Sequence, residues 1–321
     1  EIQFSNLKKL FPGPSDELDA IRLDTNHTLS YAGHIGALSV VPRVGTRQTF
    51  YSRDAKGERD LVRATFDPGM DVSVKFFKTY DFYLHAAGLD INRIRHIFTP
   101  TASYNYRPNP TVARTVLQQF DAIDALDKQN FIRWNFENKF QTKERGSGGV
   151  LQPREIARII PFFDTDLHTG RLDNVGIDAE LRPYPWMGIE TDAAYNTRTG
   201  KVETANADFY LTRGKFYFAV GHRYVHEEST QTTAEIRMAL APDWEIKVYD
   251  RYEFDEGASK EFEVTVSKVI RDCIIVDVTY NRRDGDAIFV VFRLKGFPKA
   301  SFGLSQSYRR PKAPAAASVR G

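Results

Sequence analysis

The chain has 321 residues, of which 41% are hydrophobic, 13% aromatic and 27% charged. Lys and Arg (44) nearly balance Asp and Glu (42), and the formal net charge of +2 argues against nucleic acid as a partner. Mean hydropathy is −0.44, and no run of about 18 uncharged apolar residues exists, which excludes a helical membrane protein. A transmembrane barrel stays open, because half of each of its strands can be polar.

The N-terminal third alternates apolar and polar residues, which predicts strands. Residues 1–18 contain the break Pro12-Gly13-Pro14 and are left unassigned, and the alternation begins at Ile21. Pro42 and Gly45 fall inside the next alternating run. Since proline lacks a ladder donor, we expect the strand to be locally irregular or bulged there.

A long loop is predicted at Pro108 to Asp127, where the alternation stops and Asn109-Pro110 interrupts the chain. Acidic residues follow one another in and after this loop: Asp121, Asp124, Asp127, Asp164 and Asp166. A glycosidase-like carboxylate pair requires buried, coupled acids. Nothing in the sequence indicates such burial, so solvated loop carboxylates are the favoured interpretation.

Residues 215–303 carry the clearest pattern, a series of amphipathic runs separated by short polar turns. In the first run, Phe216, Phe218 and Val220 share one parity and Tyr217 and Arg223 the other. The turns are too short for crossover helices, so antiparallel up-and-down pairing is predicted. Periodicity does not say which parity faces inward.

The predicted fold is therefore all-β: an antiparallel up-and-down transmembrane β-barrel of roughly 14–16 strands, with closure left open. The predicted organisation is an unassigned segment at 1–18, a barrel at 19–305 and a disordered Pro/Ala-rich tail at 306–321. Because the chain begins at Glu1 without a leader, we expect a fragment or a processed form.

The polar parity of the last strands predicts a water-filled lumen, where basic side chains could meet lipid phosphates or sugars. The candidate lumen-lining residues are Arg223, Glu235, Arg237, Glu245, Lys247 and Arg251. Aromatic residues near strand ends fit interfacial girdles as well as ordinary strand packing. They are Tyr31, Tyr51, Trp134, Tyr195, Tyr224, Trp244, Tyr252 and Tyr280.

No catalytic, cofactor or metal site is predicted, and the chain is not expected to be an enzyme. His222 and His226 are four residues apart, which on a strand is too far for one ion. No nucleophile elbow or phosphate-binding loop is present.

Several short motifs, taken together in order and spacing, resemble the LptD family of lipopolysaccharide-assembly outer-membrane proteins. The C-terminal motifs are Gly221-His222-Arg223-Tyr224, Pro242-Asp243-Trp244, Tyr252, Asp272-Cys273 and Leu294-Lys295-Gly296-Phe297. A weaker block comprises Arg95-His96-Ile97, Pro100, Tyr104-Asn105-Tyr106 and Phe120-Asp121. The resemblance spans roughly residues 20–303.

The resemblance implies an integral protein of the Gram-negative outer membrane that receives lipopolysaccharide from a periplasmic bridge and inserts it laterally into the outer leaflet. The implied partners are lipopolysaccharide, an LptE-like lipoprotein plug, an LptA-like bridge acting through a missing N-terminal domain, and outer-membrane lipid. Cys273 matches the family cysteine that forms a disulfide with that domain. The matched last strand gives candidate lateral-gate residues Phe289, Val291, Arg293 and Lys295.

Two other functions remain open at this stage. A porin-type diffusion channel would share the alternation without the motifs around Cys273 and Leu294. A soluble carbohydrate-binding β-sandwich would bury the apolar parity in a core.

Overall fold

A computed structural model describes residues 2–10, 17–57, 60–121, 123–145, 150–283, 285–296 and 301–302. The predicted tail at 306–321 lies outside the described residues. The chain divides into two compact units, Glu1–Asn206 and Ala207–Gly321. In the described part of the chain, no helix has the length and apolar character needed to span a membrane.

The first unit is an antiparallel sheet in which most successive long strands pair with each other, except that β5 and β6 follow one another and both pair with β7. Its strands are β1 (Ile2–Leu10), β2 (Glu17–Ser30), β3 (Gly33–Ile35), β4 (Leu38–Tyr51), β5 (Leu61–Val74), β6 (Phe76–Ala86), β7 (Leu89–Arg107), β8 (Gln129–Arg145), β9 (Leu151–Asp166), β10 (Leu172–Tyr184) and β11 (Met187–Asn196). A 3₁₀ turn spans Arg114–Val116 within the predicted long loop. Residues 1–18, left unassigned by the sequence, contain β1, which pairs with β2.

The second unit continues the same pattern. Strand β12 (Lys201–Arg213) contains the boundary, and the remaining strands are β13 (Phe216–Val225), β14 (Ser229–Ala241), β15 (Trp244–Glu253), β16 (Ala258–Ile270), β17 (Ile274–Arg282), β18 (Asp286–Leu294) and β19 (Ser301–Phe302). From β13 to β19 each strand pairs antiparallel with the next. Of the nineteen described strands, seventeen have nine or more residues, slightly more than predicted. The all-β, antiparallel, up-and-down prediction is confirmed.

The two faces of the second unit are inverted relative to a soluble protein. On β18, Ile288, Val290 and Phe292 are 72%, 50% and 52% exposed. On β16, by contrast, the charged Glu261 and Glu263 are only 4% and 5% exposed. We call the exposed side the apolar face and the shielded side the polar face.

The first unit has the same inversion. Along β2, Ile21 and Leu23 are exposed, whereas Arg22 and Asp24, which alternate with them, are buried. A soluble β-sandwich would bury its apolar residues and solvate its charges. The observed faces exclude the sandwich and are those of a strand wall with lipid on one side.

Strand β4 is locally irregular at Pro42, which is one of the two predicted alternatives, but it has no bulge there. Strand β4 pairs in continuous register with β5, from Leu38 opposite Val74 to Tyr51 opposite Leu61. On its other side β4 pairs with β3 over 38–40 and with β2 over 43–51. Pro42 lies at the gap between those two strands, where its missing N–H is not needed, and its carbonyl accepts a hydrogen bond from the Tyr31 N–H at 3.1 Å.

Candidate functional site

Strand β18 is an edge strand of the second unit. One side pairs with β17 over its whole length, from Asp286 opposite Arg282 to Leu294 opposite Ile274. Within the described ranges, the other side pairs only with the two residues of β19, opposite Phe292 and Arg293. The backbone N–H and C=O groups before these residues are therefore available for another strand, or for opening.

The candidate gate residues fall on one side of this strand. Phe289, Val291 and Arg293 lie on the polar face, and Val291 is buried. Lys295 follows the end of β18, where its N–H donates to the Cys273 carbonyl at 2.9 Å. The alternate residues of β18 face outward, so one strand presents an apolar surface to lipid and a mostly shielded surface opposite.

Arg293 links the edge strand to its neighbours. Its guanidinium forms an ion pair with Asp277 of β17, with Nη2 donating to Oδ1 at 2.9 Å. The same carboxylate accepts a hydrogen bond from the Ser267 hydroxyl of β16 at 2.6 Å. Asp277 would therefore retain a partner if Arg293 moved away.

The candidate lumen-lining residues lie on the polar face as a series of paired charges. Arg223 pairs with Asp208, Lys247 with Glu263, and Arg251 with Glu261 at 3.8 Å. Glu235 and Arg237 pair with each other, and Glu245 lies exposed near the start of β15. Carboxylates thus match the predicted basic side chains, which leaves this part of the polar face with little net field.

Cys273 is exposed in the turn between β17 and its partner β16. Arg271 and Asp272 both adopt positive φ, 50° and 57°, which turns the chain tightly and projects the residue that follows. Through its carbonyl bond to Lys295, Cys273 lies beside the end of the candidate gate strand.

The sequence did not reveal a buried polar cluster in the first unit. Arg22, Tyr51, Arg63 and Asp124 are its largest fully buried side chains. Asp124 Oδ1 accepts hydrogen bonds from Arg22 Nη1 at 3.0 Å and from the Tyr51 hydroxyl at 2.7 Å. Its Oδ2 accepts the backbone N–H groups of Phe120 and Asp121 at 2.9 and 3.1 Å.

Three expectations change as a result. Asp124 is 0% exposed, and Asp164 is also buried, where it accepts two hydrogen bonds of 2.7 Å from Arg133. The prediction of solvated carboxylates is wrong for both. Tyr51 is not a girdle aromatic either, because its hydroxyl ends in the buried cluster. Alternation had placed Arg22 on a polar parity but gave no signal for its distant partner.

The cluster fixes residues 108–121 and 123–128, which we call the 108–128 segment. Arg63 donates to the backbone carbonyl oxygens of Ile123, Asp124 and Leu126. Arg22 also binds both carboxylate oxygens of Asp121, at 2.9 and 2.6 Å. Burial alone would raise the pKa of Asp121, but the bonds from Arg22 and from the Ile123 N–H outweigh it and hold that pKa below its ordinary value.

Residues 4–256 match the family described as LptD, LPS transport system D. The chain belongs to the LptD family. The predicted resemblance is confirmed, and with it the outer-membrane location: this is an integral outer-membrane protein of a family that transports rather than converts its cargo. The LptD match ends before β17 and β18, so Cys273 and the candidate gate strand lie outside it.

Solved structures similar to this LptD-family chain are outer-membrane proteins. A triple mutant of the Rhodopseudomonas blastica porin has 10% identity and a TM-score of 0.33, covering 88% of this chain and 100% of that chain. A mutant ferric enterobactin receptor, PfeA, from Pseudomonas aeruginosa has 9% identity and a TM-score of 0.39, covering 85% and 54%. No curated protein matches the sequence.

Proposed function

We propose that this protein passes lipopolysaccharide from the periplasm into the outer leaflet, and that the lipid leaves sideways past the edge of β18. The observation that carries the proposal is the edge itself. β18 pairs on one side with only two described residues. Its alternate side chains lie on the apolar face and on the polar face. An amphiphile needs both surfaces at once, because its acyl chains favour lipid and its sugars favour water.

Family membership supports the cargo. LptD means LPS transport system D, and the match covers most of the chain. The proposed partners follow from the family: an LptE-like lipoprotein plug and an LptA-like periplasmic bridge that delivers lipopolysaccharide through a domain outside this sequence. Cys273 would form a disulfide with that domain, and its exposure makes the thiol accessible.

Photocrosslinking on the edge strand tests the proposal. A photoreactive amino acid replaces Phe289 or Val291 in the protein expressed in its membrane, and lipopolysaccharide adducts are detected by immunoblot. We expect adducts at both positions. The matched control replaces Thr279, opposite Phe289 on the inner strand β17, and should give much weaker labelling. Equal labelling at all three positions would contradict the proposal that lipopolysaccharide leaves past the edge of β18.

Depletion separates translocation from the diffusion-channel alternative. A translocon predicts loss of newly made lipopolysaccharide from the cell surface when the protein is depleted. A porin predicts unchanged surface lipopolysaccharide and slower uptake of small hydrophilic solutes. The charge-matched polar face is compatible with a translocon and with a porin. The delivery of lipopolysaccharide to the cell surface is therefore the measurement that distinguishes them.

A further inference from the structure

Strand β6 has an unpaired edge in the first unit. It pairs with β7 from Phe76 opposite Phe98 to Ala86 opposite Leu89. The neighbour that would lie on its other side, β4, ends its pairing with β5 at Leu38 opposite Val74, before β6 begins. Across the described residues no strand pairs with this second side of β6.

The side chains of β6 are exposed on both faces. Phe76 and Phe77 are 55% and 66% exposed, and successive strand residues point to opposite faces. Phe82 and Tyr83 repeat this at 46% and 55%. A bilayer could cover only one of the two faces, whereas a strand added at the edge places its own side chains beside the aromatics of both.

The hairpin that carries this edge is held in place. At its tip, the Tyr184 hydroxyl donates to the Ala87 carbonyl at 2.9 Å. At its base, the Phe76 ring stacks with Phe98 at 6.4 Å, and the Arg95 guanidinium lies 4.6 Å from the centre of the Phe77 ring. A fixed edge loses little conformational freedom when a strand binds.

The edge lies at the end of the unit that has short turns. The two-residue β6–β7 and β10–β11 turns are at this end, together with the β2–β4 connection that contains β3, and the longest connections, β4–β5 and β7–β8, are at the other. In outer-membrane barrels the short turns face the periplasm. A polypeptide that binds at this edge would therefore be periplasmic.

We propose that the edge of β6 binds an extended segment of a periplasmic protein, which adds as a strand beside Phe76–Tyr80. The unpaired row of N–H and C=O groups is complementary to a polypeptide backbone, and the aromatic residues on both faces give apolar contacts to alternate side chains. The register shift after Tyr80 sets the end of the regular ladder. This site belongs to the first unit, whereas β18 belongs to the second, and the proposal does not depend on the nature of the cargo.

A labelled peptide tests the proposal on the intact chain in detergent micelles. The probe is an eight-residue peptide of alternating threonine and valine, and its binding is followed by fluorescence anisotropy. The matched control is the same peptide with alternate backbone nitrogens methylated, which keeps the side chains and removes ladder donors. Because each lost hydrogen bond weakens binding, we expect a Kd at least about tenfold higher for the methylated peptide. Equal affinities would overturn the proposal.

Substitutions locate the site. Phe77→Lys should weaken peptide binding by about tenfold, since charged residues block strand edges. The control Tyr31→Lys changes an aromatic residue of similar exposure away from β6 and should leave the Kd unchanged. Retained heat-modifiable gel mobility shows that each variant is folded, and hydrogen exchange of residues 76–80 should slow when the peptide binds. Peptide binding without such protection would overturn the proposal.

The bilayer as occupant is tested with Phe77→Trp in vesicles of brominated phospholipid, with the unsubstituted protein as baseline. We expect no additional quenching, because Phe77 lies on the side that continues the polar face. Strong quenching would place this edge in lipid and would overturn strand addition.

Discussion

Arg22 and Asp124 form a 3.0 Å ion pair in which the two side chains are only 1% and 0% exposed. The pair joins β2 to the 108–128 segment across 102 positions of sequence. A buried pair of this kind stabilises the fold only while both partners are present. When one is removed, the other charge is left buried without its partner and is poorly solvated.

The first prediction follows from that pair. Asp124→Ala should destabilise the protein by about 3 kcal/mol, at the low end for a broken buried pair because Arg22 keeps Asp121. The measurement is urea unfolding in detergent micelles, together with the rate of trypsin cleavage within the 108–128 segment. Asp127→Ala is the control on the same segment. Its side chain is 57% exposed, so the change should be within about 0.5 kcal/mol. Similar effects of both substitutions would contradict the assignment.

The second prediction concerns pH. The folded-state pKa of Asp121 lies below its ordinary value of 3.8, so its ionised form contributes stability that is present above that value. This contribution is lost as the pH falls through the folded pKa. Asp121→Asn should therefore flatten the decline in the urea midpoint between pH 6 and pH 3. An unchanged decline would show that the charge of Asp121 beside Arg22 contributes nothing to stability.

The third prediction uses two adjacent residues of β17 that face opposite ways. Val278 is 45% exposed on the apolar face, whereas Thr279 lies on the polar face, with its hydroxyl 2.9 Å from that of Thr265. Val278→Arg should cost about 2–4 kcal/mol in lipid bilayers, as for arginine near the middle of a bilayer. Thr279→Arg should cost clearly less. If the order is reversed in reversible unfolding from vesicles, the faces have been assigned the wrong way round.

The fourth prediction concerns a close approach of strands. A Cβ added at Gly176 of β10 would overlap the Phe162 ring and the backbone carbonyl oxygen of Ala193. Since a backbone oxygen cannot rotate away, Gly176→Ala should destabilise by about 3 kcal/mol, the upper range for overpacking. Gly296→Ala, where a Cβ meets open space, is the control and should be neutral in the same unfolding assay. Wild-type stability of Gly176→Ala would contradict the described packing.

Local alternation predicted most of the strands, although not β1, because the two-residue period is visible in neighbouring residues such as Ile21 and Arg22. It could not say that Arg22 is the buried one, since that depends on whether the apolar side meets lipid or a core. Nor could it pair Arg22 with Asp124, because contacts that distant in sequence leave no local pattern. Pro42 shows the same limit: its effect depended on a gap between β3 and β2 that only the assembled sheet reveals.

The prediction of lateral-gate residues on β18 depended on the family resemblance more than on periodicity. Phe289, Val291 and Arg293 share a parity in any strand, but only the sheet shows that β18 has so little pairing on its outer side. The partner of Arg293, Asp277, is likewise set by the register of β17 against β18.

The alternation of faces also limits how these strands can change length during evolution. Inserting one residue near the start of β17 would move each later side chain of that strand to the opposite face. Asp277 would then face lipid, and Val278 would face away from it. Inserting two residues would restore the arrangement. Relatives of this chain should therefore differ within regular strand pairing by even numbers of residues, and odd insertions should be confined to turns such as 254–257 or to bulges such as the one between Arg251 and Tyr252.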